Sequence, residues 1–245
     1  MTLAIVGAMH EEMAALLPVL GGPRRTTRRG GREFHHGEIA GQPVIVVRCG
    51  IGKVAAAATA AILLDAFDVP AVLFTGVAGG LGERVRVGDV VVGDSFLQHD
   101  MDASPLFPRW EVPLSGRARF DADAAWSERL AHASRTVLSA PPAALQDFSP
   151  GRPQVHRGLV ISGDRFVATA AESDRLRRDL PDALAVEMEG AAVAQVCHDF
   201  GRPFAVARTV SDRADDAAHV DFSRFVSQVA AEYSRSIVLA LLGAT

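Results

Sequence analysis

Short apolar runs of strand length recur seven times along the chain: "LAIV" (3–6), "PVIVVRC" (43–49), "AVLFTG" (71–76), "DVVVGDSF" (89–96), "GLVIS" (158–162), "LAVE" (184–187) and "FAVART" (204–209). Between several of them lie amphipathic or alanine-rich segments of helical length, at 10–19, 53–67, 122–138, 169–179 and 188–200. Parallel strands need a crossover long enough to return the chain to the same sheet edge, and a helix supplies it. The alternation therefore predicts an α/β fold, with a central mixed, largely parallel sheet and helices on both faces. "EFHHGEIAGQPVIVVRCG" departs from this rhythm. Its two-residue Ala40-Gly41 turn signal between strand-like runs predicts a hairpin.

Phe222, Phe225, Val226, Val229, Tyr233, Ile237, Leu241 and Leu242 fall at helical spacing and predict a long closing helix packed by one face. Stretches 98–118 and 139–156, rich in Pro, Ser and Arg, read either as binding or oligomer loops or as plain surface excursions. With 245 residues, 49% of them apolar, the chain can bury a full core, and a single domain over 1–245 is expected. A net charge of -4 gives no general attraction to nucleic acid or to an anionic membrane, which leaves a small molecule as the expected partner. No apolar run makes a credible membrane span, and the start "MTLAIVGAMHEEM" lacks a basic leader. Cys49 and Cys197 match no metal spacing and read as reduced core thiols, which points to a cytoplasmic protein. The eight histidines form no metal-binding pattern, and no G-x-S-x-G elbow occurs, so neither a metal centre nor serine hydrolysis is expected.

In open α/β sheets ligands collect at the carboxyl ends of strands. Four clusters fall there: "GAMHEEM", "TGVAGGLG", "VEMEG" and "RTVSDRADD". Each has a bland and a functional reading. Glu11 and Glu12 complement a helix dipole, or one of them is a general base. The glycines around Ala78 and Gly79 make a tight turn, or let the backbone approach a ligand. Glu187 and Glu189, flanking Met188 in an apolar context, are either a solvated helix-start pair or acceptors for a vicinal diol with Met188 as an apolar wall. Ser211 and Asp212 form a helix cap, or Asp212 is an acid whose pKa a dry pocket raises. Arg208 anchors substrate, or is a structural ion-pair partner.

Taken together, "IVGAMHEEM", "CGIGKVAAA", "FTGVAGGLGERVRVGDVVVGD", "VISGDRFV", "AVEMEGAAVAQVC" and "RTVSDRADD" occur in an order that resembles the 5'-methylthioadenosine/S-adenosylhomocysteine nucleosidases of the nucleoside phosphorylase superfamily. The resemblance spans Ile5 to about Phe222. It implies a three-layer α/β/α domain, a homodimer, and cofactor-free, metal-free hydrolysis of the N-glycosidic bond of adenine nucleosides in methionine salvage. By position, Glu12 matches the family's general base and Asp212 its acid at adenine N7, with Ser211 beside it. Glu189 and the Met188 backbone match the ribose-binding element, with Glu187 adjacent. Phe166 and Val167 match the adenine-stacking segment, Arg208 the arginine near the water, and Phe222 the aromatic flanking the 5' substituent. Ala78 and Gly79 fall in the glycine-rich segment that approaches the ligand. His10 stands where many relatives carry another acid, and Val77 where some have serine. Leu106, Phe107 and Trp110, in a family-variable loop, are candidates to close a partner's pocket.

Two rivals remain on the sequence. A phosphate-using purine nucleoside phosphorylase shares the fold, but the carboxylates of "GAMHEEM" would repel the anion. A catalytically silent nucleoside-binding relative would be expected to lack Glu12 or Asp212, and both are present. The 5' group stays open among methylthioadenosine, S-adenosylhomocysteine, 5'-deoxyadenosine and 6-amino-6-deoxyfutalosine.

Overall fold

The structure is a computed structural model in which residues 2–215 and 222–243 are described. Asp216, the last residue of the "RTVSDRADD" motif, lies outside them. All seven apolar runs fold as strands: β1 (Leu3–Gly7), β4 (Gln42–Arg48), β5 (Val72–Gly80), β6 (Val90–Gln98), β8 (Val155–Ser162), β9 (Ala183–Glu187) and β10 (Phe204–Asp212). The expected hairpin joins β3 (Arg32–Ile39) to β4 through Ala40 (φ 52°) and Gly41 (φ 73°). Two successive positive φ values give the turn whose twist matches that of the strands it joins. Two strands were not expected, the short β7 (Arg119–Asp121) and the arginine-rich β2 (Gly21–Arg29). β2 is an edge strand that is largely exposed, so it carries no apolar alternation.

The strands form one mixed sheet. β1 pairs in parallel with β4 and β5, and β5 with β10. β6 pairs in parallel with β8, and β8 with β9. Antiparallel pairing of β10 with β6, and of Gly79 and Gly80 in β5 with Val186 and Ala185 in β9, closes these five strands on themselves. Closure brings the carboxyl ends of β5, β8, β9 and β10 together, beside that of β1.

Strand alternation assigns the two faces. In β1, Ala4 and Val6 join one core cluster while Leu3 and Ile5 join the other. Helices α2 (Lys53–Ala66) and α5 (Gly190–Asp199) pack together over the first face. Over the second, α1 (His10–Leu16) and α3 (Ala124–Leu138) pack against α7 (Ala231–Leu242). Between them, α4 (Ala170–Asp179) follows β8, and α6 (Phe222–Phe225) leads through a π-helical turn, Val226–Ala230, into α7. The helices expected at 10–19, 53–67, 122–138, 169–179 and 188–200 and the closing helix are therefore all present, with their termini shifted by a few residues.

Gly93 sits where the β6–β8 register shifts, and a Cβ there would enter the ring of Phe96. That ring is wholly buried and lies 5.4 Å from the ring of Phe204. Gly93→Ala is expected to destabilise the protein by about 1–3 kcal/mol through overpacking. Calorimetry would show it as a lowered Tm, and an unchanged Tm would refute this account of the bulge.

Candidate active site

The chain crosses from strand to helix four times at the gathered carboxyl ends, and each crossing supplies a side chain. Together these walls enclose a cavity of about 320 Å³. After β1 comes Glu12, in the first turn of α1. Its Oε2 accepts hydrogen bonds from the Ala8 N–H at 2.9 Å and the Met9 N–H at 3.2 Å, which fixes the carboxylate over its own helix start. Its Oε1 is buried without a hydrogen-bond partner among the described residues. Burial raises the Glu12 pKa to about 7, against the opposing charge of Arg208 and the two backbone donors.

Arg208, on β10, lies opposite Gly76 of β5. Any Cβ at Gly76 would collide with the guanidinium, so the glycine makes room for the arginine inside the sheet. The guanidinium carbon stands 4.0 Å from the centroid of the Phe74 ring. Nη2 donates to Glu187 and lies 3.6 Å from Glu189 Oε2. The fully buried cation is thus compensated by three carboxylates, Glu187, Glu189 and Glu12, whose charges all favour its protonated form although burial opposes it.

Glu187 ends β9 and Glu189 precedes α5. Their surroundings separate them. Glu187 accepts from Ser162 Oγ, from the Glu189 N–H at 3.1 Å and from the Gly190 N–H at 2.8 Å, besides Arg208. Both its oxygens are engaged within the protein, so it borders the cavity while holding Arg208 and the start of α5. Glu189 accepts only the Gly52 N–H at 2.9 Å among hydrogen bonds between described residues, and its pKa is raised by burial and then by the neighbouring charge of Glu187. Met188 lies between them on the wall.

At the end of β10, Asp212 Oδ2 accepts the Ser211 hydroxyl at 2.7 Å and Oδ1 the Ala214 N–H at 2.7 Å. Burial raises its pKa, although both hydrogen bonds pull the other way. A Cβ on Gly79 would approach Asp212 Oδ1 to 3.0 Å, so the glycine admits this carboxylate beside β5. Ala78 and Gly79 complete that wall. The rings of Phe166, from the loop after β8, and Phe222 meet edge to face with centroids 5.6 Å apart. Val167 follows on the inner side.

All twelve residues expected from the sequence, Glu12, Ala78, Gly79, Phe166, Val167, Glu187, Met188, Glu189, Arg208, Ser211, Asp212 and Phe222, line this one cavity. The sequence reading did not assign Ala8, Met9, Ile51, Arg165 or Val186, which also line it; Val77 does so too. Ile51 sits in "CGIGKVAAA", one of the motifs that carry the family resemblance, but no role was read for its side chain. Arg165 faces outward in an ion pair with Glu172 at 2.7 Å. Among the described residues no group of His, Cys, Asp and Glu is arranged to hold a metal ion. Nor is any helix among them long and apolar enough to cross a membrane.

Comparison with known proteins agrees with this architecture. The sequence profile of the phosphorylase superfamily matches residues 2–243. The chain is 38% identical, over 98% of its length and 97% of the relative's, to the 5'-methylthioadenosine/S-adenosylhomocysteine nucleosidase of Anoxybacillus flavithermus. The nucleosidase of that name from Neisseria meningitidis, crystallised in complex with methylthio-immucillin-A, superposes with a TM-score of 0.87 at 35% identity, covering 100% of this chain and 99% of that one. Futalosine hydrolase of Helicobacter pylori superposes with a TM-score of 0.85 at 31% identity, covering 100% and 98%. By profile, full-length identity and fold together, this chain belongs to the phosphorylase superfamily, among its 5'-methylthioadenosine/S-adenosylhomocysteine nucleosidases.

Proposed function

We propose that the protein hydrolyses the N-glycosidic bond of 5'-substituted adenine nucleosides, 5'-methylthioadenosine and S-adenosylhomocysteine, releasing adenine and the ribose derivative. The observation that carries this reading is the pair of buried acids in one cavity, Glu12 and Asp212, each with a raised pKa and each in a different electrostatic group. Glu12 shares Arg208 with Glu187 and Glu189, whereas Asp212 sits with Ser211 and Ala214. Glycosidic cleavage passes through an oxocarbenium-like state and needs a base for water and an acid for the leaving group. Glu12, ionising near neutral pH, suits the base, and its unpartnered Oε1 is the oxygen available to a water. Asp212, favoured in its protonated form by burial, suits the donor to adenine N7. Glu189 holds the ribose hydroxyls, with Met188 beneath. Phe166 and Val167 flank the base, and Phe222 the 5' substituent, with Ala78 and Gly79 behind. Glu187 acts by holding Arg208 and the start of α5.

Water is favoured over phosphate because three carboxylates face the nucleophile side and their one buried cation, Arg208, is already engaged by them. Adenine release should therefore proceed at the same rate with and without inorganic phosphate, and strict phosphate dependence would reverse the reading. Asp212→Asn should lower kcat by at least about a hundredfold while an adenosine analogue still binds; wild-type turnover would remove Asp212 from its role. The structural likeness to futalosine hydrolase supports 6-amino-6-deoxyfutalosine as a second substrate, to be ranked against the others by kcat/KM.

The pH dependence follows from Glu12. Its folded pKa, about 7, exceeds its ordinary value of 4.5, so the folded state binds this proton more tightly than the unfolded chain does. Its stabilising contribution is complete below 4.5 and is lost as pH rises to about 7. Glu12→Gln, which mimics the protonated form, should gain in Tm relative to wild type as pH is raised across that window. The difference should reach up to a few kcal/mol of stability. The ascending limb of wild-type kcat/KM should lie near the same pH, because the base must be ionised. A Tm difference that is flat with pH would contradict the burial account.

The proposal extends to a single-domain cytoplasmic homodimer serving methionine salvage. The buried free thiols of Cys49 and Cys197 support a reducing compartment. Ile51 at the cavity, Val54 and Leu106 are 61%, 81% and 83% exposed, an apolar surface suited to a second copy. Light scattering should give twice the chain mass, and a monomer would refute this part.

A further inference from the structure

Lys53 is the only lysine in the chain, and it lies outside the walls of the cavity. It opens α2, and its side chain is only 15% exposed. Nζ lies 2.6 Å from Asp100 Oδ1 and 3.7 Å from Asp164 Oδ2. The two acids are cross-linked in turn. Asp164 Oδ1 accepts the Lys53 N–H at 2.8 Å, and Asp100 Oδ2 accepts the Asp164 N–H at 2.9 Å. One ammonium, two carboxylates and two backbone amides therefore tie together three segments: the ends of β6 and β8 and the start of α2.

These segments carry the cavity's walls. Two residues after Asp164 comes Phe166, then Val167. Just before Lys53 come Ile51, on the wall, and Gly52, whose N–H donates to Glu189. Gly52 has φ +97°, and a Cβ there would approach Asp164 Oδ1 to 3.1 Å, so the backbone is pressed against the carboxylate that caps it. Removing the ammonium would leave two carboxylates converging with no cation between them. The loop after β8 would then be held to α2 only by the Asp164 cap on the Lys53 N–H, strained by the repulsion between Asp100 and Asp164.

We infer that Lys53 is a positioning residue for the nucleoside: through Asp100 and Asp164 it fixes the spacing between the Phe166–Val167 wall and the Ile51–Gly52 segment that aims Glu189. This rests on the nucleosidase reading above. An arginine would not replace it fully, since a planar fork cannot occupy the point between two carboxylates that an ammonium fills.

The test compares wild type, Lys53→Met, Lys53→Arg and Asp100→Asn by steady-state adenine release, and by hydrogen exchange of the amides at 163–168. Lys53→Met should raise KM about tenfold, keep kcat within about threefold, and speed exchange across 163–168. Lys53→Arg should fall between it and wild type. Asp100→Asn, which keeps the Asp164 cap, should move KM and exchange in the same direction and decides the matter if Lys53→Met does not fold. A folded Lys53→Met with wild-type KM, or with unchanged exchange at 163–168, would overturn the inference. Absence of adenine release by the wild type would instead sink the nucleosidase reading, and the exchange comparison would still judge the tether.

Discussion

The site depends on a cation taken wholly out of water. Burying a guanidinium costs several kcal/mol even after relaxation, and it is tolerated only where partners surround it. Arg208 finds them in Glu187, Glu189 and Glu12, with the face of Phe74 beneath. Three carboxylates around one guanidinium overshoot neutrality. Burial raises the pKa of Glu12 and Glu189, with the charge of Glu187 adding to the shift at Glu189, while Glu187 itself is saturated by donors.

The sheet makes that burial possible. Arg208 sits in a run of β10 that is buried from Phe204 to Asp212, where an apolar side chain would ordinarily stand. Gly76 on the adjacent strand leaves the space, and Gly79 does the same for Asp212. Closing β5, β10, β6, β8 and β9 on themselves brings Glu187 from β9 within reach of Arg208 from β10, although the two strands are not paired. Topology thus creates the ion cluster, and glycines in β5 keep it from being squeezed out.

Much of this was legible in the sequence, for identifiable reasons. Strands buried on both faces read as continuous apolar runs, so all seven were visible. β2 was not, because "GGPRRTTRR" faces solvent on nearly its whole length; its one signal was Gly30-Gly31, which takes φ 54° and 74° in the turn to β3. The acids of "VEMEG" stood out against apolar neighbours, yet spacing could not say that one holds the arginine and the other faces the cavity. That division is made by Ser162 and Gly52, remote in sequence from both. Ile51 escaped for a similar reason: an isolated isoleucine beside glycines has no pattern, and only the fold brings it to the wall.

The excess of negative charge also explains why such a site would be kept despite its cost to the folded state. Burial favours the protonated forms of Glu12 and Glu189, so ionising them near neutral pH weakens the protein. A neutral nucleoside in its ground state offers no positive charge to relieve this. A sugar ring becoming an oxocarbenium ion does, and the carboxylates then gain an interaction that the bound substrate could not provide. Binding that appears only as charge develops lowers the barrier without trapping the substrate. On this argument the strain of three acids about one arginine belongs to the chemistry, and a phosphate ion, which would add negative charge at the same spot, is the nucleophile that the cluster is built to refuse.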